Sequence, residues 1–327
     1  FWGIPASSIW LESLLQGGPL FRGQANARQF VNEDHVDAIV GSSSVLTTAP
    51  IFSIAAESQT VQLPLAPITI PESAQKWVFN IAQPLDIMVG GVVTDMVDQG
   101  FDKIAYIGFA DGWGDQNLDA LTAQAKAHGL DIVASERYSR TDASATAQAI
   151  NIVSSGADAV YVGGAGTASV LPHRALRDMG FQGPIYHSHG AVAETFIQTG
   201  GSVVEGAVMP TSPMVVADEL PDDHPSKAPA LNFIKAFQAE WGDETVQPFA
   251  GYAWDAVLLL DSAVATASET AKPGTPEFRA ALRDALEAGG EVAGVSAVYE
   301  YGEDDHYGVD ERARVLVEVR DGAFSLR

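Results

Sequence analysis

The chain has 327 residues, of which 46 % are apolar and 18 % charged; this describes a core-forming globular protein long enough for two domains of ordinary size. Its formal net charge of −24 opposes binding to phosphate backbones or anionic lipid. The absence of cysteine excludes a disulfide framework, thiolate zinc sites and cysteine nucleophiles. No apolar stretch reaches the roughly 18 uncharged residues of a membrane span, and the richest, Ile87–Val97, is interrupted by Asp95. The first residues, Phe1-Trp2-Gly3-Ile4-Pro5, carry neither a basic n-region nor an apolar h-region. That leaves a mature chain, a shortened chain and a cytoplasmic chain all open.

Along the chain, apolar β-rich runs alternate with helical periodicity. Ile4–Leu15 and Ala25–Val31 read as helical, with no strand before or between them. Val36–Gly41 and Val61–Leu65 read as short buried strands. The segment 83–99 reads as a helix, because Leu85, Met88, Val89, Val92, Val93, Met96 and Val97 recur at three and four spacing; Gly100 ends it. Lys103–Phe109 is a strand, and Leu118, Leu121 and Ala125 mark a helix stopped by Gly129. Strand 131–134, helix 145–153, strand 159–162, helix 167–179 and strand 184–186 continue the rhythm. Met209–Pro229, rich in Pro, Asp and Ser, reads as a long loop. Helices follow over 230–241, 251–267 and 276–288, the last with Thr275 as N-cap and Pro276 at its first position. Strand-like 295–299 and 313–319 flank an acidic, irregular stretch. This βαβ alternation implies parallel sheets covered by helices on both faces.

Open α/β sheets bind ligands at the carboxyl ends of their strands, so the loops there hold the candidates. After the 36–41 strand, Gly41-Ser42-Ser43-Ser44-Val45-Leu46-Thr47-Thr48 is a hydroxyl-rich turn entering a helix. It suits a carboxylate, which gains from several donors and from the helix dipole; an ordinary Ser/Thr N-cap is the plain alternative. Ala66-Pro67-Ile68 is apolar and stiffened by proline, a wall. Trp113, between Gly112 and Gly114 on a loop, suits stacking on a ligand or capping the edge of a lobe. Gly163-Gly164-Ala165-Gly166-Thr167-Ala168-Ser169 has the look of a dinucleotide fingerprint. Ser169 stands at the third glycine position, however, and no acidic residue ends a following strand about 20 residues on, so a glycine turn admitting a ligand or helix is preferred. In His187-Ser188-His189-Gly190-Ala191 the two histidines lack a nearby Cys, Asp or Glu for a metal but suit hydrogen bonding to an anion, His189 with Gly190 being the better placed. His35, His128, His173, His224 and His306 read as surface or structural. Glu303-Asp304-Asp305 lacks the spacing of a calcium loop. No cofactor or metal site, and no assembled catalytic set, is expected.

Taken in order, Val36–Ser44, Lys103–Phe109 with its glycine-rich loop, Ala157–Gly164 and Phe249–Ala256 resemble the type I periplasmic binding proteins of the leucine/isoleucine/valine-binding family, in its aromatic-acid-binding branch. The resemblance covers nearly the whole chain. It implies an α/β fold of two doubly wound parallel-sheet lobes joined by three hinge crossovers, placed near Asp111, Pro248 and Tyr301. The N-terminal lobe would hold residues 1–111 and 249–300, the C-terminal lobe 112–248 and 301–327. Trp2-Gly3 resembles the pair that follows the family's first-strand loop, so that strand is expected upstream of Phe1; the second strand, expected near Gly18, is also missing. The family's carboxylate-binding serine loop falls on Ser42, Ser43 and Ser44, its second loop on Ala66 followed by Pro67 and Ile68, and its aromatic crossover residue on Trp113. The position of its ammonium-holding acid falls within 187–191, where no acid stands.

The function implied is a periplasmic, non-enzymatic solute-binding protein, expected to be a monomer, that delivers its ligand to the membrane permease of an ABC transporter. A site that keeps carboxylate donors but loses the ammonium partner favours an aromatic or hydrophobic carboxylate, since burying an unpaired ammonium costs several kcal/mol. On this reading Ser42–Ser44 meet the carboxylate and Trp2, Ala66, Pro67 and Ile68 line its apolar body. Closure then brings Trp113, Gly164, Ala165, Gly166, Thr167, His189 and Gly190. The alternatives are a branched-chain or other amino acid as ligand, a Rossmann-type enzyme using Gly163–Gly166, and a cytoplasmic small-molecule sensor. A DNA-binding repressor lacks a basic helix-turn-helix segment.

Overall fold

A computed structural model describes residues 20–242 and 246–327. In chain order the elements are α1 (Leu20–Asn32), β1 (Ala38–Val40), α2 (Val45–Thr48), α3 (Phe52–Ser58), β2 (Val61–Leu63), α4 (Leu85–Asp98), β3 (Lys103–Phe109), α5 (Gly112–His128), β4 (Asp131–Tyr138), α6 (Thr146–Ser154) and β5 (Ala159–Gly163). They continue with α7 (Val170–Asp178), β6 (Ile185–His187), α8 (Glu194–Gly200), β7 (Val208–Thr211), α9 (Lys227–Trp241), α10 (Pro248–Ala267), α11 (Pro276–Glu287), β8 (Val292–Ala293), β9 (Val298–Tyr299), β10 (Val315–Arg320) and β11 (Ala323–Leu326). The helix expected at Ile4–Leu15 and the residue Trp2 lie outside the described residues. No helix among the described residues is long and apolar enough to cross a membrane.

The chain divides into two compact units. One contains residues up to Pro84, Asp223–Gly242 and Pro248–Ala313; the other contains Leu85–Asp222, Asp243–Gln247 and Arg314–Arg327. These boundaries correct the expected ones. Residues 85–111 belong with the second unit because β3 pairs with β4 on one side and β5 on the other, in parallel register. Asp223–Gly242 and 301–313 fall in the first unit, where Tyr301 and Ala313 are part of the core around α10 and α11.

The second unit is a seven-stranded sheet in the order β11-β10-β7-β6-β5-β3-β4. The neighbours from β7 through β4 are parallel, and β10 and β11 close one edge antiparallel. β3 shows why its sequence is apolar at nearly every position. Ile104 and Tyr106 pack with Val89, Val92 and Met96 of α4 on one face, while Ala105, Ile107 and Phe109 pack with Ile152 of α6 and Leu176 of α7 on the other. A strand covered on both faces reads as a continuous hydrophobic run rather than an alternation. β7 corrects the long loop expected over 209–229. Pro210 and Pro213 mimic a loop signature, yet Pro210 sits in β7 opposite Leu316, and α9 begins at Lys227 despite Pro229 because proline is tolerated in a first helical turn.

In the first unit, β1 and β2 pair in parallel. Thr275 caps α11 as expected, its side chain accepting from Phe278 N with Pro276 in the first turn. The polar centre of this unit is Asp255 of α10, fully buried. It accepts from Val295 N at 2.7 Å, Ser296 N at 2.8 Å and the Tyr299 hydroxyl at 3.2 Å. Burial outweighs those donors and lifts its pKa to about 6. The native state therefore holds this proton more tightly than the unfolded chain does, so the group's stabilising contribution is full below about pH 4 and is lost as pH rises through about 6. Urea denaturation followed between pH 4 and 7 is expected to show this loss, and Asp255→Asn, which cannot ionise, is expected to flatten it relative to wild type.

Candidate functional site

In the second unit, β6, β5 and β3 are adjacent and parallel, so the loops leaving their carboxyl ends emerge side by side. The chain runs from β3 outward to β4 and then returns across β3 to β5; the gap between β3 and β5 is thus a topological switch point, the usual ligand position of such sheets. Three loops meet there. Trp113 comes from the start of α5, Gly164 follows β5, and Ser188, His189 and Gly190 follow β6.

The meeting point is one carbonyl. Gly164 O accepts from Trp113 Nε1 at 3.1 Å and from Ser188 Oγ at 2.5 Å. The indole N–H and the Ser188 hydroxyl are therefore engaged within the protein, and what Trp113 offers a ligand is ring surface. The ring is half-buried and meets the His189 imidazole edge-on at 5.4 Å and 73°. Two glycines are required by close approach. A Cβ on Gly190 would lie 3.0 Å from Trp113 and from Ala165, and one on Gly164 would lie 2.4 Å from the Tyr138 hydroxyl.

Both ring nitrogens of His189 are shielded from solvent and neither has a hydrogen-bond partner among the described residues; His187 Nδ1 and Ser169 Oγ nearby likewise lack one. Burial lowers the pKa of His189 to about 4, so the ring is neutral at physiological pH. His187, read as a companion ligand-binding histidine, is instead core. Its Nε2 lies 2.9 Å from His173 Nδ1, its ring stacks on His173 and meets Phe196 edge-on, and burial keeps it neutral. Of the glycine turn, Ala165 is half-buried and, like Trp113, packs against the core cluster that contains Val162, whereas Thr167 is exposed.

The placement of Trp113 has causes that single residues do not display. Asp111 caps α5, accepting from Trp113 N at 3.0 Å and Gly114 N at 3.2 Å, and Arg140 Nε donates to its other oxygen at 2.6 Å. Burial works against the charge of Asp111, but Arg140 and the capped N–H groups more than offset it, and its pKa falls below the ordinary carboxylate range. Arg140 itself lies over the Phe109 ring at 4.0 Å. A row of tyrosines in register on β3, β5 and β6 anchors the helices beside them. Tyr106 donates to Gly114 O at 2.6 Å, Tyr161 to Asn117 Oδ1 at 2.8 Å, and Tyr186 to Asp95 Oδ2 at 2.6 Å. The visible signal was a tyrosine in each apolar strand; the partners were not visible.

In the first unit, Ser42 is buried and its hydroxyl is spent locally, on Thr47 Oγ1, on Thr48 Oγ1 at 3.0 Å and on the backbone of Ser44. It organises the turn, while half-buried Ser43 and exposed Ser44 carry the accessible hydroxyls. Leu65 N donates to Ser42 O at 3.1 Å, which ties the serine turn to the Ala66-Pro67-Ile68 segment. Ala66, Pro67 and Ile68 are buried; Ile68 packs with Phe52, Ile70 and Val78, and its carbonyl accepts from the Tyr307 hydroxyl at 3.1 Å. The expected apolar wall is thus part of this unit's own core. Among the described residues no group of three or more His, Asp or Glu side chains is arranged to hold a metal.

The family model for periplasmic binding proteins matches residues 17–323. The chain belongs to this family, in the type I group that includes the leucine/isoleucine/valine-binding proteins. It is similar to Rp1789 of Rhodopseudomonas palustris, with 37 % identity over 95 % of this chain and 87 % of that one and a TM-score of 0.90. An extracellular ligand-binding receptor from Rhodopseudomonas palustris HaA2 matches at 36 % identity, with the same coverage of each chain and a TM-score of 0.90. A leucine-binding protein from Thermotoga maritima, 18 % identical over 94 % of this chain and 83 % of that one, shares the fold with a TM-score of 0.76. The Leu/Ile/Val-binding protein homolog 3 of Brucella melitensis is 24 % identical over 63 % of this chain, and the match spans 56 % of that protein's length. Members of the family are solute-binding proteins, and the α/β fold with its mostly parallel central sheet is the family's type I fold.

The shared carbonyl yields a test. Ser188→Ala and Trp113→Phe are each expected to destabilise this unit by about 1 kcal/mol, since Gly164 O keeps one donor in either variant. The double variant strands a buried carbonyl and is expected to cost about 1–3 kcal/mol beyond the sum, measured by urea denaturation as a double-mutant cycle.

Proposed function

We propose that this periplasmic binding protein captures an aromatic or hydrophobic organic carboxylate outside the cytoplasm and delivers it to the permease of an ABC uptake transporter, without chemical change. The observation that carries the ligand class is the make-up of the loop after β6. It offers a neutral imidazole and no acidic side chain over residues 187–191, beside the aromatic surface of Trp113. An amino acid brings an ammonium group, and a site without a carboxylate to meet it leaves that charge unpaired at a cost of several kcal/mol. Within the first unit, the turn that Ser42 organises presents the hydroxyls of Ser43 and Ser44, donors of the kind a free carboxylate uses.

A second reading has support from the relatives. The Brucella protein is named for leucine, isoleucine and valine, and a Desulfitobacterium hafniense substrate-binding protein, 20 % identical, is described in complex with Leu. On that reading the ligand is a branched-chain amino acid.

A thermal-shift screen separates the two, because ligand that binds only the folded state raises the melting temperature. Free aromatic acids are expected to shift it, and their amides and branched-chain amino acids are not. A shift with leucine alone supports the second reading. With the acid so identified, calorimetry is expected to find Trp113→Ala weakening affinity by more than about tenfold, roughly 1.4 kcal/mol. An unchanged dissociation constant removes Trp113 from the site.

A further inference from the structure

We infer that Gln62 is the positioning residue of the serine turn: its side-chain amide holds the carbonyl of Gly41 out of the strand ladder, and this decides which of Ser42, Ser43 and Ser44 face outward. As a role in ligand capture it rests on the carboxylate reading above. A regular parallel ladder advances two residues along each strand from one repeat to the next. Gly41 N donates to Leu63 O at 2.8 Å, so the next bond of a regular ladder would run from Leu65 N to Gly41 O. It runs to Ser42 O instead, at 3.1 Å. The carbonyl of buried Gly41 is thereby turned out of the ladder, and Gln62 Nε2 donates to it at 3.1 Å.

Gln62 is fully buried in the middle of β2, where an amide is costly unless it is hydrogen-bonded. Its backbone is held on both sides. Ile39 of β1 stands opposite, and Phe79 N donates to Gln62 O at 2.9 Å. The Oε1 atom has no hydrogen-bond partner among the described residues, so Gly41 O is the partner of this side chain there, and only the amide nitrogen can donate to a carbonyl. The turn follows from that bond. Ser42 O, drawn into the ladder, also accepts from Thr48 Oγ1 at 3.0 Å, and the Ser42 hydroxyl is committed to Thr48 and to the backbone of Ser44. A shift of one residue along a strand exchanges the faces on which side chains stand. With Ser42 in the ladder, Ser42 is the buried serine, and Ser43 and Ser44 carry the accessible hydroxyls. Without a donor at Gln62, Gly41 O loses its partner unless the ladder takes it back, and that displaces Ser42 O from Leu65 N.

The test is amide hydrogen exchange followed by NMR on the full chain, read as protection factors so that intrinsic rates cancel. Gln62→Met keeps the length of the side chain and removes the donor. It is expected to lower the protection of the Leu65 and Thr48 amides by about tenfold or more, the scale of one lost buried hydrogen bond. The Phe79 amide, which reports on β2 itself, is expected to keep its wild-type value. Gln62→Glu adds a pH readout that packing alone does not give. At about pH 5 burial keeps its carboxyl protonated, so it donates to Gly41 O and restores protection; as the carboxyl ionises at higher pH it donates nothing and protection falls. Unchanged protection of Leu65 and Thr48 in Gln62→Met overturns the inference. An equal loss at Phe79, the mark of general destabilisation, overturns it too, as does a failure of Gln62→Glu to restore protection in acid. Calorimetry with phenylacetate, benzoate and leucine tests the role in capture. A probe that binds wild type is expected to bind Gln62→Met about tenfold or more weakly, since a displaced turn loses its alignment with the ligand; equal affinity overturns that role. Binding of leucine and of neither acid is the failure of the ligand class above, and the exchange result then decides Gln62 separately.

Discussion

The carbonyl of Gly164 is the acceptor on which the loops at the carboxyl edge of the second unit's sheet depend. Two donors from two other loops converge on it, the indole N–H of Trp113 and the hydroxyl of Ser188. A buried carbonyl has two lone pairs to satisfy, and here both are satisfied by side chains that would otherwise be open to a ligand. The loops after β3, β5 and β6 are thereby locked to one another before any solute arrives. Both ring nitrogens of His189, beside this closure, have no hydrogen-bond partner among the described residues. Loops fixed to one another in this way meet their ordering cost in folding.

Behind those loops, the sheet fixes the helix starts. Tyr106, Tyr161 and Tyr186 stand in register across three adjacent strands, and each spends its hydroxyl on a group of α4 or α5. Gly114 is held from one side by the Tyr106 hydroxyl on its carbonyl and from the other by Asp111 on its N–H. Trp113, one residue earlier, has little freedom left. Arg140 completes the arrangement by pairing with Asp111 and lying over Phe109. The first unit follows the same logic on a smaller scale. Buried Ser42 gives its hydroxyl to Thr47, Thr48 and Ser44, and so shapes a turn whose outward hydroxyls belong to its neighbours.

Much of the fold was legible because its signals are local or periodic. The apolar face of α4, the glycine stops at Gly100 and Gly129, and the Thr275-Pro276 start of α11 depend on residues within a turn or two of one another. The runs in β3 and β5 read correctly as strands buried on both faces. The misreadings came where a local signal met a non-local constraint. Pro210 and Pro213 spoke for a loop, and pairing of β7 with β10, about a hundred residues later, overrode them. The unit boundary expected near Asp111 fell at Pro84–Leu85, because membership is decided by which strands β3 pairs with, and strand pairing leaves no mark in β3 itself.

By itself the sequence determined the alternation of strands and helices and the family, since both rest on spacing and on residue type. The tertiary structure alone decided which polar atoms in the loops after the strands are already paired. Ser42, Trp113 and Ser188 have donors or acceptors as suitable as those of His189 when read along the chain, yet these three spend theirs inside their own unit. A side chain's chemistry is a property of its type, whereas whether that chemistry is still unpaired depends on partners brought close only by folding.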